Sequence, residues 1–229
     1  MNKFSIYILL VLVFLGLSKS FSPSEQRILY VENEHVYSTF FKGAPIEVIL
    51  TDYFKAGFLI KTYFHRYKIV HGFKNPDFVT VRVSKKFWNK NKHHIGMSLF
   101  RRREIDNAES TIPLPPGSLF VGDPSFGYWE ENGKSSKHFW IFHRAYKHFP
   151  EYFSWDDFVP DHEFYKLLVN SIGQEKVFFG SNNEFGTNSD LTKKMYPKTR
   201  AFLPITKIHF NELIDRFLST PWQDEEKQK

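Results

Sequence analysis

No cysteine occurs among the 229 residues. Disulfides, thiol nucleophiles and thiolate metal sites are therefore excluded, and the domain has to be held by its core alone. Several motifs of established chemistry are missing as well. No G-x-S-x-G elbow presents a serine, and "GDPSFG" (Gly122 to Gly127) is a different turn. No G-x-x-x-x-G-K-[ST] loop is there to cradle phosphates, and no HExxH pair offers zinc ligands. His143 and His148 are five apart, about 140° around a helix, which makes a poor pair of ligands. "DHE" (Asp161 to Glu163) is too compact for all three side chains to coordinate one ion. A metal-dependent enzyme using His143, His148 or His162 thus stands last among the readings. Neither a metal nor a cofactor is expected.

What is present describes a core-forming globular chain: 41% hydrophobic residues against 24% charged. Aromatic residues make up 18%, with 26 phenylalanines, so most rings have to be buried. The length suits one domain.

The first 20 residues follow the order of a secretory signal peptide. Lys3 supplies a positive start, "FSIYILLVLVFLGL" (Phe4 to Leu17) is a 14-residue apolar run, and Ser18 and Ser20 are small. A bilayer span needs about 20 apolar residues, more than this run provides. The alternative is an uncleaved N-terminal anchor, the single route by which a membrane enters the reading. Residues 1–20 are thus expected to be a signal peptide, 21–222 a single domain and 223–229 a polar tail. Cleavage removes two lysines and no acids, so the formal charge falls from +6 to +4. An exported chain without disulfides fits a periplasm or cell envelope.

Local patterns predict an α+β fold: a mainly antiparallel sheet in the N-terminal and middle part, with an N-terminal helix and two C-terminal helices. "SPSE" (Ser22 to Glu25) has the form of a capping box with proline at the first helical position, which predicts a helix to about Asn33. "IEVILT" (Ile46 to Thr51), "GFLIKTYF" (Gly57 to Phe64) and "YKIVHG" (Tyr67 to Gly72) read as strands, with His65 and Arg66 as a hairpin turn between the last two. "DFVTVRVS" (Asp77 to Ser84) alternates, so Val79, Val81 and Val83 share a face. "IGMSLF" (Ile95 to Phe100) is expected to return beside it. Phe164, Leu167, Leu168 and Ile172 have helical spacing, with Asp161 before them and Gly173 after. Phe210, Leu213, Ile214, Phe217 and Leu218 repeat that pattern.

Two stretches could carry function. Arg82 to Arg103 holds eight Lys or Arg and no acid. Lys85, Lys86, Arg101, Arg102 and Arg103 are the candidates for binding an anionic partner; a solvated hairpin tip is the structural alternative. Nothing in the segment matches a nucleic-acid motif, and none is expected as partner. The second stretch is "LPPGSLFVGDPSFGYWEENGK" (Leu114 to Lys134). It reads as a rigid Pro pair, a short buried strand at Ser118–Val121, and a turn in which Asp123 bonds backbone groups. That is sufficient as scaffold. Beyond scaffold, Tyr128 and Trp129 precede Glu130 and Glu131, with Trp140, Trp155, Asp156 and Asp157 further along. Rings beside carboxylates suit a sugar, whose apolar face stacks while its hydroxyls donate to acids. Tyr128, Trp129, Trp140 and Trp155 are the candidate binding residues. Glu130, Glu131 and Asp157 are the candidate catalytic acids, since glycoside hydrolysis uses two carboxyls in different environments. The leading expectation is an exported envelope protein that binds a polysaccharide such as peptidoglycan, with hydrolysis as its catalytic form. The alternative is a non-catalytic envelope module whose basic patch meets an anionic surface.

Overall fold

The computed structural model describes residues 3–21, 29–57, 61–72, 74–133 and 136–202. The chain is α+β. Helix α1 spans Lys3–Phe21, and its side chains from Phe4 to Phe14 are exposed. Among the described residues no helix is long and apolar enough to cross a membrane. Strand β1 (Tyr30–Val31) and the short helix α2 (Tyr37–Phe40) follow, then β2 (Ile46–Ala56), β3 (Thr62–His71) and β4 (Asp77–Val83). Helix α3 (Lys85–Asn91), β5 (Ser98–Arg102) and β6 (Glu109–Ser110) complete a six-stranded sheet in the order β1-β4-β3-β2-β5-β6. All pairs are antiparallel except β1 with β4. A separate hairpin pairs β7 (Gly127–Asn132) with β8 (Lys137–Phe142). After it come α4 (Phe149–Tyr152), α5 (His162–Gly173) and α6 (Asp190–Met195).

Alternation along β4 is as the sequence predicts: Val81 and Val83 are buried, while Phe78 and Arg82 face solvent. Helix α5 begins as expected, with Asp161 Oδ1 accepting the Phe164 amide at 2.8 Å, but it includes Gly173, expected just beyond it, and is capped at Gln174. Phe164 and Leu168 are its buried face.

Four local expectations are corrected. The segment ending at Asn33 is not helical where it is described. Tyr30 and Val31 pair with Arg82 and Val83, because a fully buried Val31 gains a ladder at the sheet edge. Residues 22–28 lie outside the described residues. His65 and Arg66 do not turn: β3 runs straight through them, paired with Tyr53 and Asp52. The connection falls after Ala56, where Gly57 at φ +95° adopts the left-handed backbone that neither His nor Arg favours. Strand β5 returns beside β2 rather than β4, since both edges of β4 are occupied by β1 and β3. Ser118–Val121 is a pair of turns, with the Phe120 and Val121 amides both donating to the Gly117 carbonyl. The helix expected near 210–218 and the polar tail lie outside the described residues.

Strand β2 divides the core. Ile46, Val48 and Leu50 join Tyr67, Val81, Val83, Tyr37, Phe41 and Phe87 on one face. Ile49 and Val70 join Leu114, Phe120, Phe153, Trp155 and Phe164 on the other. Glu47 alternates with Val48 and has no exposed surface. Its carboxylate accepts the Gly117 amide at 2.9 Å and the Ser118 hydroxyl at 3.4 Å, opposite Arg101 in the β2–β5 register. Gly117 has φ +84°, and a Cβ there would collide with Trp155 and Phe153, so the loop approaches as only glycine allows.

Burial pushes the Glu47 carboxyl up to about 7, against the opposing pull of Arg101, while burial lowers Arg101 to about 10. Between pH 4.5 and 7 the folded chain thus keeps a proton that the unfolded chain has released, so this contribution weakens as pH rises through that window. Burial raises Asp52 to about 6, which acts in the same direction from its ordinary 3.8. Urea titrations at pH 5 and pH 7 should show Glu47→Gln losing less stability between the two pH values than the parent, by about 1–3 kcal/mol. Equal losses would mean that Glu47 does not titrate there.

Candidate functional site

The β7–β8 hairpin builds two unlike faces from period-two alternation. Trp129 pairs with Trp140, Glu131 with His138 and Gly127 with Phe142, which puts these on one face; Tyr128–Ile141 and Glu130–Phe139 form the other. The first face turns inward at Gly127, Trp129 and Trp140, while Glu131, nearer the hairpin turn, is exposed. Trp140 is 3% exposed, and Trp129 lies 5.1 Å from it and 4.2 Å from the His162 ring of α5. Gly127 is required at the start of β7, because a Cβ would meet the Ile141 carbonyl and the Trp140 ring.

The second face is open. Tyr128 is 48% exposed and Val159 46% exposed, and Glu130 and Glu131 face solvent. Glu130, Glu131, Phe139, Ile141 and Val159 line a shallow depression of about 410 Å³. Val159 reaches it because the preceding loop runs alongside β8: the Trp140 amide donates to the Pro160 carbonyl at 2.9 Å, and Phe139 bridges to Asp161. The turn entering β7 is held as its sequence implies, with Asp123 Oδ1 accepting the Ser125 amide at 2.9 Å.

The structure therefore separates the residues that the sequence grouped. Glu130 and Glu131 share the depression, with Tyr128 on the same outward face as Glu130. Trp129 and Trp140 belong to the packed face. Trp155 is 2% exposed, and its indole N–H donates to the Pro116 carbonyl at 2.9 Å, so it is core and not a sugar platform. Asp157 is outside the lining set and pairs with Lys194 at 3.4 Å, as Asp156 also does. Phe139, Ile141 and Val159 were missed. The first two are legible in "KHFWIF", where alternation puts them opposite Trp140; Val159 is not, since its position depends on an irregular loop.

The basic segment also divides. Lys85 and Lys86 lie exposed on α3. Arg101 is 4% exposed and donates to the Ser98 carbonyl at 3.0 Å and the Ser110 hydroxyl at 3.0 Å. It is a structural cation and cannot present itself to a partner. Arg102 is bound to Glu109 and to the carbonyls of Phe41, Gly43 and Ser38. Arg103 is exposed and paired with Asp106. The segment is thus a helix and a partly buried strand, neither a hairpin tip nor one continuous patch.

The histidines sit apart. His143 Nε2 is 3.0 Å from the Pro124 carbonyl, His148 is near Glu151, and His162 stacks on His138. Among the described residues no group of three His, Asp or Glu is placed to hold a metal. The two acids that burial pushes up, Glu47 and Asp52, stand on β2 and not in the hairpin.

No family model, curated protein or solved structure matches the chain.

The two faces predict opposite phenotypes. Trp129→Ala removes a ring packed on Trp140, His162 and Tyr165 and should cost about 2–4 kcal/mol. Tyr128→Ala should cost under about 0.5 kcal/mol, as exposed substitutions do. Thermal unfolding of both variants checks this, and a larger loss for Tyr128→Ala would reverse the assignment of faces.

Proposed function

We propose that the chain is an exported envelope protein that binds a polysaccharide through the outward face of the β7–β8 hairpin. The observation that carries the reading is the composition of that face. Three apolar side chains, Phe139, Ile141 and Val159, and two solvent-facing carboxylates, Glu130 and Glu131, line an open depression, and one half-exposed aromatic ring, Tyr128, stands outside that lining on the strand face of Glu130. A sugar ring has an apolar side that can stack on Tyr128 and equatorial hydroxyls that can donate to the carboxylates. Shallow, open and partly acidic surfaces suit an extended polymer better than an enclosed metabolite, which would need most of its surface buried.

Binding without hydrolysis is the form of the function that the site supports. A glycosidase needs a carboxyl held protonated in an apolar pocket opposite a second, ionised one. Glu130 and Glu131 are both exposed on a short strand, and Asp157 is engaged by Lys194. Export rests on the N-terminal order of Lys3, an apolar helix and small Ser18 and Ser20, together with the absence of cysteine. The alternative, an anionic partner on the basic segment, keeps Lys85, Lys86 and Arg103 of its five residues, because Arg101 and Arg102 are occupied internally.

Titration with soluble peptidoglycan fragments tests the reading. Tyr128→Ala should weaken binding about 10-fold or more, and Glu130→Gln by about 5-fold, each with unchanged unfolding temperature. Undiminished binding in both variants, or loss only in Lys85→Ala/Lys86→Ala, would contradict it.

A further inference from the structure

We propose that Ser154, Lys68 and Tyr196 form an acyl-transfer centre for small acyl esters, with Ser154 as nucleophile and Lys68 as its base. The inference is independent of the polysaccharide reading, and neither stands on the other. Three separate elements bring these side chains to one point: strand β3, the loop after α4, and the residue that ends α6. Lys68 Nζ lies 3.0 Å from Ser154 Oγ, and the Tyr196 hydroxyl donates to the same oxygen at 3.0 Å. Lys68 also donates to the Tyr152 carbonyl at 2.8 Å, which fixes the amine beside the serine.

The backbone of Ser154 is unusual. At φ +57° it occupies the left-handed region that a residue with a Cβ enters seldom and at a cost. Surrounding bonds hold it there: its amide donates to the Glu151 carbonyl at 3.0 Å, and the following Trp155 amide donates to the Pro150 carbonyl at 2.9 Å. Glycine or asparagine would satisfy this backbone with less strain, yet a hydroxyl stands there, aimed at a lysine. A sharp turn that presents a serine to a base is the arrangement that nucleophilic hydrolases use on unrelated folds.

The electrostatics agree with the geometry. Burial lowers Lys68 to about 8, with Glu151 pulling the other way, so mildly alkaline solution supplies the neutral amine that a base requires. Burial raises Tyr196 to about 12, so it stays a hydrogen-bond donor that positions Oγ and is not itself the base. Ser154 is 7% exposed and Lys68 9% exposed, so an ester that reaches Oγ has to be small.

The step balances within these residues. Ser154 Oγ attacks the acyl carbon as its proton passes to Lys68 Nζ; the bond to the leaving alcohol breaks, and the alcohol takes the proton from Lys68. Water then cleaves the serine ester, with Lys68 again accepting a proton and returning it to Ser154. A small alkyl fluorophosphonate tests the nucleophile directly, since an Oγ–P bond forms and fluoride leaves. The full chain should be labelled at Ser154, located by peptide mass spectrometry, at a rate that rises with pH through about 8. Lys68→Met should slow labelling about 100-fold, and Tyr196→Phe should slow it a fewfold without moving the pH midpoint. Ser154→Gly keeps the left-handed backbone, so its loss of labelling cannot be ascribed to misfolding. An unlabelled Ser154 in the folded parent, or labelling with no rise through that pH, would overturn the proposal and leave the cluster as a tie between β3 and the α4 loop.

Discussion

A carboxylate with no exposed surface joins the two parts of the core. Glu47 sits on β2, between residues that face one hydrophobic cluster, and points towards the other. There it receives the Gly117 amide and the Ser118 hydroxyl, while Arg101 balances its charge from the neighbouring strand and anchors the carbonyls of Ser98 and Ile112. Removing one partner of a buried charge pair costs about 3–5 kcal/mol, because the other is left uncompensated. The loop this pair captures is the lead into everything that follows. Pro116 receives the Trp155 indole, Gly117 yields space to Phe153 and Trp155, and Phe120 packs on Phe126, Phe149 and Phe153.

The hairpin inherits its orientation from that chain of contacts. With Phe126 buried and Trp129 and Trp140 turned towards α5, alternation leaves Tyr128, Glu130, Phe139 and Ile141 outside. Function in this reading follows from what the aromatic core cannot absorb. Among the described residues of the hairpin, Trp129 and Trp140 serve packing, while Tyr128 is half-exposed because alternation turns it to the other face. Under the proposed function, such a surface would meet a repeating polymer by stacking and hydroxyl contacts, with affinity gained from several neighbouring sugars and not from one deep pocket.

Much of the fold was legible where local signals agree with tertiary demands. The valines of β4 and the capped α5 are examples, since alternation and capping act within a few residues. The failures have tertiary causes. His65 and Arg66 carry no turn chemistry, and the register of β2 with β3 runs through them. Val31 takes a strand because an edge of β4 is available, a fact that lies 52 residues away, at Val83. The candidate site was half legible. Rings beside acids point to Glu130 and Glu131, which line the depression, and to Tyr128 on the outward face, but the same rule gathers Trp129, Trp140 and Trp155, which pack inward. Composition cannot say which face of a strand is inward; the partner strand can. The basic run misled for the same reason, since Glu47 and Glu109, which occupy Arg101 and Arg102, lie outside it. Ser154 and Lys68 are 86 residues apart, so no motif could have joined them.

The central claim is that the outward hairpin face is where the chain meets its partner. Hydrogen exchange of the full chain, with and without soluble peptidoglycan fragments, tests it most directly. The account predicts added protection confined to the amides of β7, β8 and the loop through Val159, with α3 unchanged. Protection centred on α3, or none on the hairpin at saturating fragment, would contradict it.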